Sequence, residues 1–431
     1  MTATGAAPPH ASRGRRRGPF RHRDFRSLWI GQTASKLGSG VTGVALPLIA
    51  VTALDAGTFQ VALLPAAAWL PWLLVGLPAG AWVDRLPRRP VMLACDLAAL
   101  LLFLSVPVAA WLDRLSVGHL LAVALGAGTA SVFFHTACQV YLPSLLDGDE
   151  LAEGNARMQA SEAAAEVGGP AAAGLITQLA GAVNALLADA ASFLVSALCL
   201  LAIRTREPRR RRAGHGGTLR REIGEGLRFV AADPYLRVLT VFSAASNIGL
   251  VGYQSILVVF LVREVGVSPG AVGALTAAAG AGGVLGAVSA TALARRFGSA
   301  RALLAAEAGA APFGLLIPLT TPGPGLALAV AGGLAAGAGA AVGNVLKGSF
   351  RQVYTPRRLL GRVTVTMQLV GYGSIPLGAL LGGTLGTALG VRPAMWIITA
   401  GLAATGTILL AGPLRRQRDL PDRPAAAPGR D

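Results

Sequence analysis

The sequence predicts an all-α, polytopic membrane protein of twelve transmembrane helices arranged as two pseudo-symmetric six-helix bundles. Three observations predict it: long apolar runs nearly free of charge, cations confined to one side of those runs, and a chain that repeats itself halfway along. The 431 residues are 53% hydrophobic and only 14% charged, with 56 glycines and a formal net charge of +17. Soluble domains carry roughly 25% charged residues, so too little polar material is present to cover a water-facing surface, and an ordinary soluble enzyme is excluded. A disordered basic chain is excluded as well, because disorder needs low hydrophobicity and the mean hydropathy here is positive. At about 20 apolar residues per spanning helix, the length accommodates twelve spans, one longer linker and two tails.

The elements follow from the N-terminus. Residues 1–27 are a basic, polar tail with no small-residue cleavage site after the first apolar run, so the first span is expected to be retained. Between glycine, proline and charge punctuation lie spans near 28–52, 59–83, 90–112, 119–143, 156–180 and 184–203, which form the first half, 28–203. Residues 204–236 are a linker, in which Leu219, Ile223, Leu227 and Val230 recur at helical spacing opposite Arg220, Arg221, Glu222, Glu225 and Arg228. That pattern suits a helix lying on an anionic leaflet or a solvated linker helix. The second half, 237–413, has spans near 237–262, 270–294, 301–320, 325–346, 360–386 and 392–413, and 414–431 is a second basic tail.

Charge tests the count independently. With the N-terminus inside, 34 cations fall on the inner side, Arg114, Arg263 and Arg392 fall outside, and Lys36 lies within a span. Cytoplasmic loops carry such an excess of arginine and lysine, so both ends are expected in the cytoplasm, beside anionic lipid headgroups. The positive charge therefore reports topology. Nucleic acid is not expected as a partner, because the basic clusters alternate strictly with spans.

The repeat has an offset of 211–213 residues. Gln139-Val140-Tyr141-Leu142-Pro143 ends the fourth span, and Gln352-Val353-Tyr354-Thr355-Pro356 follows the tenth; Asp84-Arg85-Leu86-Pro87 after span two has a counterpart in Arg295-Arg296-Phe297-Gly298 after span eight. Duplicated six-span halves are one known build of secondary transporters.

The segment Gly80-Ala81-Trp82-Val83-Asp84-Arg85-Leu86-Pro87-Arg88-Arg89 resembles the signature loop between spans two and three of the major facilitator superfamily, with Trp82, Val83 and Pro87 as departures. Together with Ala79–Leu93, Tyr141–Gly174 and Phe350–Arg392, it is similar to the bacterial branch containing the enterobactin exporter and macrolide efflux proteins. The resemblance implies a multi-pass protein of the bacterial inner membrane. It also implies that Gly80 opens a cytoplasmic latch motif, in which Asp84 joins the two halves when the protein faces outward and Arg85, Arg88 and Arg89 are its ionic partners; the arginines equally serve as topology determinants. Gly169, Pro170 and Gly174 on span five resemble the antiporter motif of drug exporters, with Ala173 and Ala165 where glycines are usual. Proline bends a helix, and glycines admit a close neighbour. Gly378, Gly382, Gly386 and Gly390 form a small-residue stripe for packing or sliding.

Ionisable residues inside spans cost about 2.5–3.5 kcal/mol each on insertion scales, so those present call for a use. Glu162 and Glu166 share one face of span five, with His135 on span four and Lys36 on span one at comparable depth. Such a set can bind and release protons or form fixed ion pairs that hold helices together. Asp96 and Asp189 read as structural, and Glu307 admits either role. Gln139, Tyr253, Gln254, Met367 and Tyr372 are candidate cavity-lining residues, beside Trp69, Trp72, Phe133, Phe134 and Phe242. Cys95, Cys138 and Cys199 have no metal-ligand spacing and read as small buried hydrophobes, so no metal is expected. No Gly-rich loop ending in Lys-Ser/Thr, no His-Glu-x-x-His and no Gly-x-Ser-x-Gly occurs, so neither ATP drive, a cofactor nor intramembrane enzyme chemistry is expected. The expected function is proton-coupled export of a small organic molecule by a monomer, drug-, macrolide- or siderophore-like; an importer or uniporter on the same fold is the alternative, and a non-transport membrane scaffold or intramembrane enzyme a more remote one.

Overall fold

A computed structural model describes residues 19–83, 85–146, 148–205 and 219–422. Asp84, the proposed latch carboxylate, lies outside them, as do the side chains of Leu219 to Ile223. All regular structure among the described residues is helical. The helices are α1 (Arg23–Thr52), α2 (Thr58–Leu74), α3 (Gly76–Val83), α4 (Arg88–Trp111), α5 (Val117–Tyr141), α6 (Gly148–Ala180) and α7 (Ala182–Ala202). The linker helix α8 (Leu219–Ala232) follows, and then α9 (Pro234–Val259), α10 (Pro269–Phe297), α11 (Ser299–Ala310), α12 (Leu326–Tyr354), α13 (Arg357–Leu389) and α14 (Val391–Ala411).

Nine of the described helices are long and apolar enough to cross a membrane. The remaining three sequence-defined spans differ for physical reasons. Span two is divided into α2 and α3 at Val75–Gly76. Span five lies within α6, whose 33 residues include Glu162 and Glu166 and so dilute its apolar character. Span nine is the 12-residue α11 continued as a 3₁₀ turn over Ala311–Leu316, where Pro312 cannot supply the next helical N–H. Leu101, Leu179, Leu198, Leu285, Val288 and Leu377 project outward over the long helices, an apolar exterior that suits lipid and not water.

The chain alternates between two faces. The terminal face holds the start of α1, the end of α14 and α8; the far face holds the connections at 53–57, 112–116, 181, 265–268, 317–325 and 390. Short polar residues start the helices at both: Ser116 caps α5, Ser268 caps α10, and the Asp233 carboxylate accepts from Tyr235 N and Leu236 N at 3.0 and 2.9 Å to cap α9. The repeated pentapeptides end α5 and α12 at the terminal face, with Tyr141 and Tyr354 both buried. The Tyr354 hydroxyl donates to Asp233 at 2.6 Å, fastening α12 to α9.

The apolar core is continuous at one face and divided at the other. Toward the far face, residues of α1, α2, α4, α5 and α7 pack in one body with residues of α9, α10 and α14. Toward the terminal face there are two separate bodies, one around Phe25, Met92 and Tyr141, the other around Phe242, Leu303 and Tyr354. The helices before and after the linker thus meet at the far face and part toward the termini. The linker helix rests on protein: Glu225 pairs with Arg362 of α13, Gly226 sits against the Arg362 backbone and Thr366, Val230 is buried and Leu227 faces outward.

Candidate functional site between the two sets of helices

Backbone contact between the two sets is made by glycine. On α6, the antiporter-like segment has two small faces. Gly169 meets Gly40 of α1, where an added Cβ would lie 2.6 Å from the Gly40 Cα; Gly174 meets Gly273 of α10, where an added Cβ would lie 2.9 Å from the Gly273 Cα. Pro170 is buried between them and cannot bond back to residue 166. The Glu166 carbonyl in turn abuts Gly280 of α10. A second seam joins α2 to α13, where Gly383 packs on Phe59 and Ala62, and Gly386 on Thr58. Gly378 and Gly382 of the stripe pack instead on Ile248 and Gly252 of α9, and Gly390, with φ +92°, breaks the chain between α13 and α14.

Below these seams the polar residues named from the sequence converge. Lys36 of α1 forms an ion pair with Glu162 of α6, with the two side chains 41% and 39% exposed. His135 Nε2 and Gln139 Nε2 of α5 lie 2.6 Å apart, one turn from each other and both exposed, and the charges of Lys36 and Glu162 act on the imidazole. Glu166 is exposed one turn beyond Glu162 and feels both Glu162 and Lys36. An aromatic wall faces this group. The Trp72 ring is 5.4 Å from His135 and 5.2 Å from Tyr372 of α13, and Trp69 is 5.5 Å from Tyr372. Arg351 of α12 interacts electrostatically with Tyr372. Charged and aromatic groups from α1, α2, α5, α6, α12 and α13 therefore border one opening, which faces the termini where the core divides.

Other sequence-selected residues lie elsewhere. Tyr253 is buried in the far-face core, with Gln254 exposed next to it. Met367 packs at the edge of the apolar body around Phe242. Of the signature loop, Gly80 lies in α3 with open space around it and Arg85 is exposed. Arg89 donates to Leu200 O and Leu201 O at 2.8 and 2.9 Å, adding a cationic donor to the last-turn carbonyls of α7.

The structure also corrects the charge count at one position. Lys347, assigned to a loop because the apolar run stops at 346, lies inside α12. It is 14% exposed and pairs at 2.7 Å with Glu307 of α11, itself 9% exposed. The Phe242 ring covers its ammonium at 5.0 Å, and Ser246, Asn247, Asn344 and Thr405 line a cavity of about 110 Å³ beside the pair. The repeat offset carried a signal for it, since residue 347 stands 212 positions after His135 and Glu307 stands 211 after Asp96.

Helices of this length with an apolar exterior, parted at one face around a polar opening, define a transporter of the major facilitator type. The chain belongs to the transmembrane secretion effector family of that superfamily, whose model matches residues 16–427. It is 28% identical over 429 residues to the multidrug efflux pump Tap of Mycolicibacterium fortuitum, covering 95% of this chain and 99% of that one. Among solved structures, a bacterial homologue of the lysosomal transporter Spinster, in an inward-facing and unoccupied conformation, superposes with a TM-score of 0.73 at 17% identity over 96% of this chain and 100% of the other. The nucleoside transporter NupG superposes with a TM-score of 0.74 at 12% identity over 91% and 99%. The protein is a multi-pass membrane transporter of a small molecule, and it is not an enzyme.

Proposed function

We propose that the chain is a proton-coupled exporter in the bacterial cell membrane that moves bulky, amphipathic organic molecules outward by alternating access. In this reading α1–α7 and α9–α14 are two six-span bundles, giving twelve passes. The arginine-rich terminal face is cytoplasmic, by the excess of cations there, so the opening faces the cytoplasm. The observation that carries the proposal is the half-exposed Lys36–Glu162 pair in that opening. A carboxylate inside a membrane protein but open to water can exchange its ammonium partner for a proton or a cationic ligand, because partial solvation keeps each state accessible. Glu166 and His135 stand within its field, and Trp69, Trp72 and Tyr372 offer ring faces to an apolar or cationic body. Similarity to a multidrug efflux pump supports outward movement and a broad, apolar substrate class.

In the cycle, substrate enters from the cytoplasm against the aromatic wall while Glu162 is ionised. Closure of the terminal face and parting of the glycine seams then exposes the site outward. Protonation of Glu162 or Glu166 on that side weakens the hold on a cation and releases it, and the proton leaves to the cytoplasm when the opening re-forms. Asp84 would latch the closed terminal face.

Everted membrane vesicles with ethidium as probe test this reading. An inward-acid gradient should drive ethidium accumulation, a protonophore should collapse it, and Glu162→Gln and Glu166→Gln should abolish the drive and weaken ethidium binding, leaving the part contributed by the aromatic wall. Full gradient-driven uptake in both variants would remove these carboxylates from the coupling. Ethidium moving in the opposite sense would favour an importer on the same fold.

A further inference from the structure

A second set of acids lies behind α1, away from the opening. Helix α7 carries Asp189, Ser192 and Ser196 at spacings of three and four, so they share one face, and Asp189 to Ser196 spans about 10 Å at 1.5 Å per residue. That face is covered by the α1 backbone at two glycines seven residues apart. Gly31 rests on the Ser196 Cα, where an added Cβ would be tight at 3.2 Å, and Gly38 rests on Ser192 and the Asp189 carboxylate so closely that a side chain there would collide. Asp189 is 0% exposed and accepts hydrogen bonds from the hydroxyls of Thr42 on α1 and Ser192. At the other end of the line the Ser196 hydroxyl faces Asp96 of α4. Asp96 is 1% exposed, and its Oδ2 and the Ser196 oxygen are both buried without completing a hydrogen bond.

Among the described residues no ion pair reaches either carboxylate. From α1, Lys36 is taken by Glu162, and Arg23, Asp24 and Arg26 lie in the first turn at the terminal face. From α6, Glu162 faces Lys36, and Glu166 approaches Gly283 of α10. From α4, Phe103 stacks on Phe193 of α7 at 5.7 Å, and Arg89 at the helix start is held by the Leu200 and Leu201 carbonyls. Around Asp96 stand the thiols of Cys95, Cys138 and Cys199. An ionised carboxylate in such surroundings costs several kcal/mol unless it is paired. A neutral acid costs far less, and its O–H can donate to a neighbouring hydroxyl oxygen, that of Thr42 for Asp189 and that of Ser196 for Asp96.

We propose that Asp189 and Asp96 are proton-binding residues, held neutral in the conformation with the terminal-face opening, at the two ends of the α1–α7 contact and separate from the Lys36–Glu162 site. The only change at each acid is gain or loss of one proton. Helix α1 links the two sites, since Lys36 faces Glu162 and Thr42, six residues on, holds Asp189. A shift of α1 when the exposed pair opens therefore alters the hydrogen bond at Asp189 and the cover over that face of α7. The inference deepens the proton-coupled reading, and its test does not depend on transport.

Infrared spectra of the purified protein in lipid at neutral pH, compared between wild type and variants and in ¹H₂O and ²H₂O, report the carbonyl stretch of protonated carboxyl groups. Wild-type protein should retain two such bands at neutral pH; Asp189→Asn should lose one, Asp96→Asn the other, and Glu162→Gln neither. Thr42→Val, which keeps the carboxyl but removes one hydrogen-bond partner, should shift the Asp189 band, and it reads the same group if Asp189→Asn does not fold. Unchanged bands in Asp189→Asn and Thr42→Val, or a wild-type spectrum with both acids ionised, would overturn the proposal. Bands assigned as expected but with ethidium transport insensitive to the gradient would leave the proton sites standing and remove the coupled-export reading instead.

Discussion

Two lysine–glutamate pairs sit inside the helical body, one before the linker and one after it, and they differ in exposure more than in chemistry. Lys36 and Glu162 are 41% and 39% exposed in the terminal-side opening; Lys347 and Glu307 are 14% and 9% exposed beneath the Phe242 ring. Each pair joins two helices of its own set. Water decides what each can do. A solvated pair is worth little and loses little when a partner leaves, whereas a buried pair, once broken, strands a charge in a poorly polarisable interior. The same two residue types therefore make a replaceable contact in one half and a fixed strut in the other.

The sharpest way to break this comparison is to remove each lysine in turn. Lys347→Met should destabilise the protein by about 3–5 kcal/mol, because Glu307 is left buried and unpaired. The double change Lys347→Met with Glu307→Gln should recover most of that loss, read as thermal unfolding in detergent. Lys36→Met should cost less than about 1 kcal/mol yet reduce gradient-driven ethidium export. Equal losses of stability at the two lysines would mean that exposure does not separate the pairs.

A smaller effect separates the seams from the opening. Gly273→Val forces a branched side chain against the Gly174 Cα and the Pro170 carbonyl, where even a Cβ would lie 2.5 Å away. Overpacking of this kind costs about 1–3 kcal/mol. The expected result is a lower unfolding temperature and faster labelling of cysteines placed at the far face, because the two sets can no longer close there. Gly283→Ala, on the same helix but with its Cβ 3.9 Å from the nearest backbone atom, should change neither readout.

These contrasts also show where sequence reasoning stops. The all-helical, multi-pass character can be read from a local quantity, the length of each apolar run. Convergence of Lys36, Glu162 and His135 could be anticipated, because charge within a span costs enough to need a common polar space. Lys347 was hidden by an arbitrary boundary: the apolar run ends at 346, but the helix continues to Tyr354 because nothing there breaks it. Tyr253 resembles a cavity residue in composition, yet it faces the far-face core, and no periodicity distinguishes those two interiors. The small faces of α6 are visible as glycines, while their partners, Gly40 on one side and Gly273 on the other, depend on which helices become neighbours.

The least effect is expected at the most conspicuous surface contact between the two sets. Arg263 Nη2 donates to Asp55 Oδ1 at 2.7 Å across the far face, but Asp55 is 96% exposed. It also sits at φ +44°, a conformation asparagine tolerates nearly as well. Asp55→Asn should therefore alter stability by less than about 1 kcal/mol, and raising the salt concentration should not open the far face, as measured by distances between spin labels on α2 and α13. Arg392 offers the contrast on the same face: its guanidinium lies 5.0 Å over the Phe260 ring and donates to Pro318 O at 2.7 Å. Its loss removes a ring contact and leaves a carbonyl without its donor, so Arg392→Ala should exceed Asp55→Asn in cost. A far face that parted in high salt would show that charge, and not the fit of glycine against backbone, holds the two sets together there.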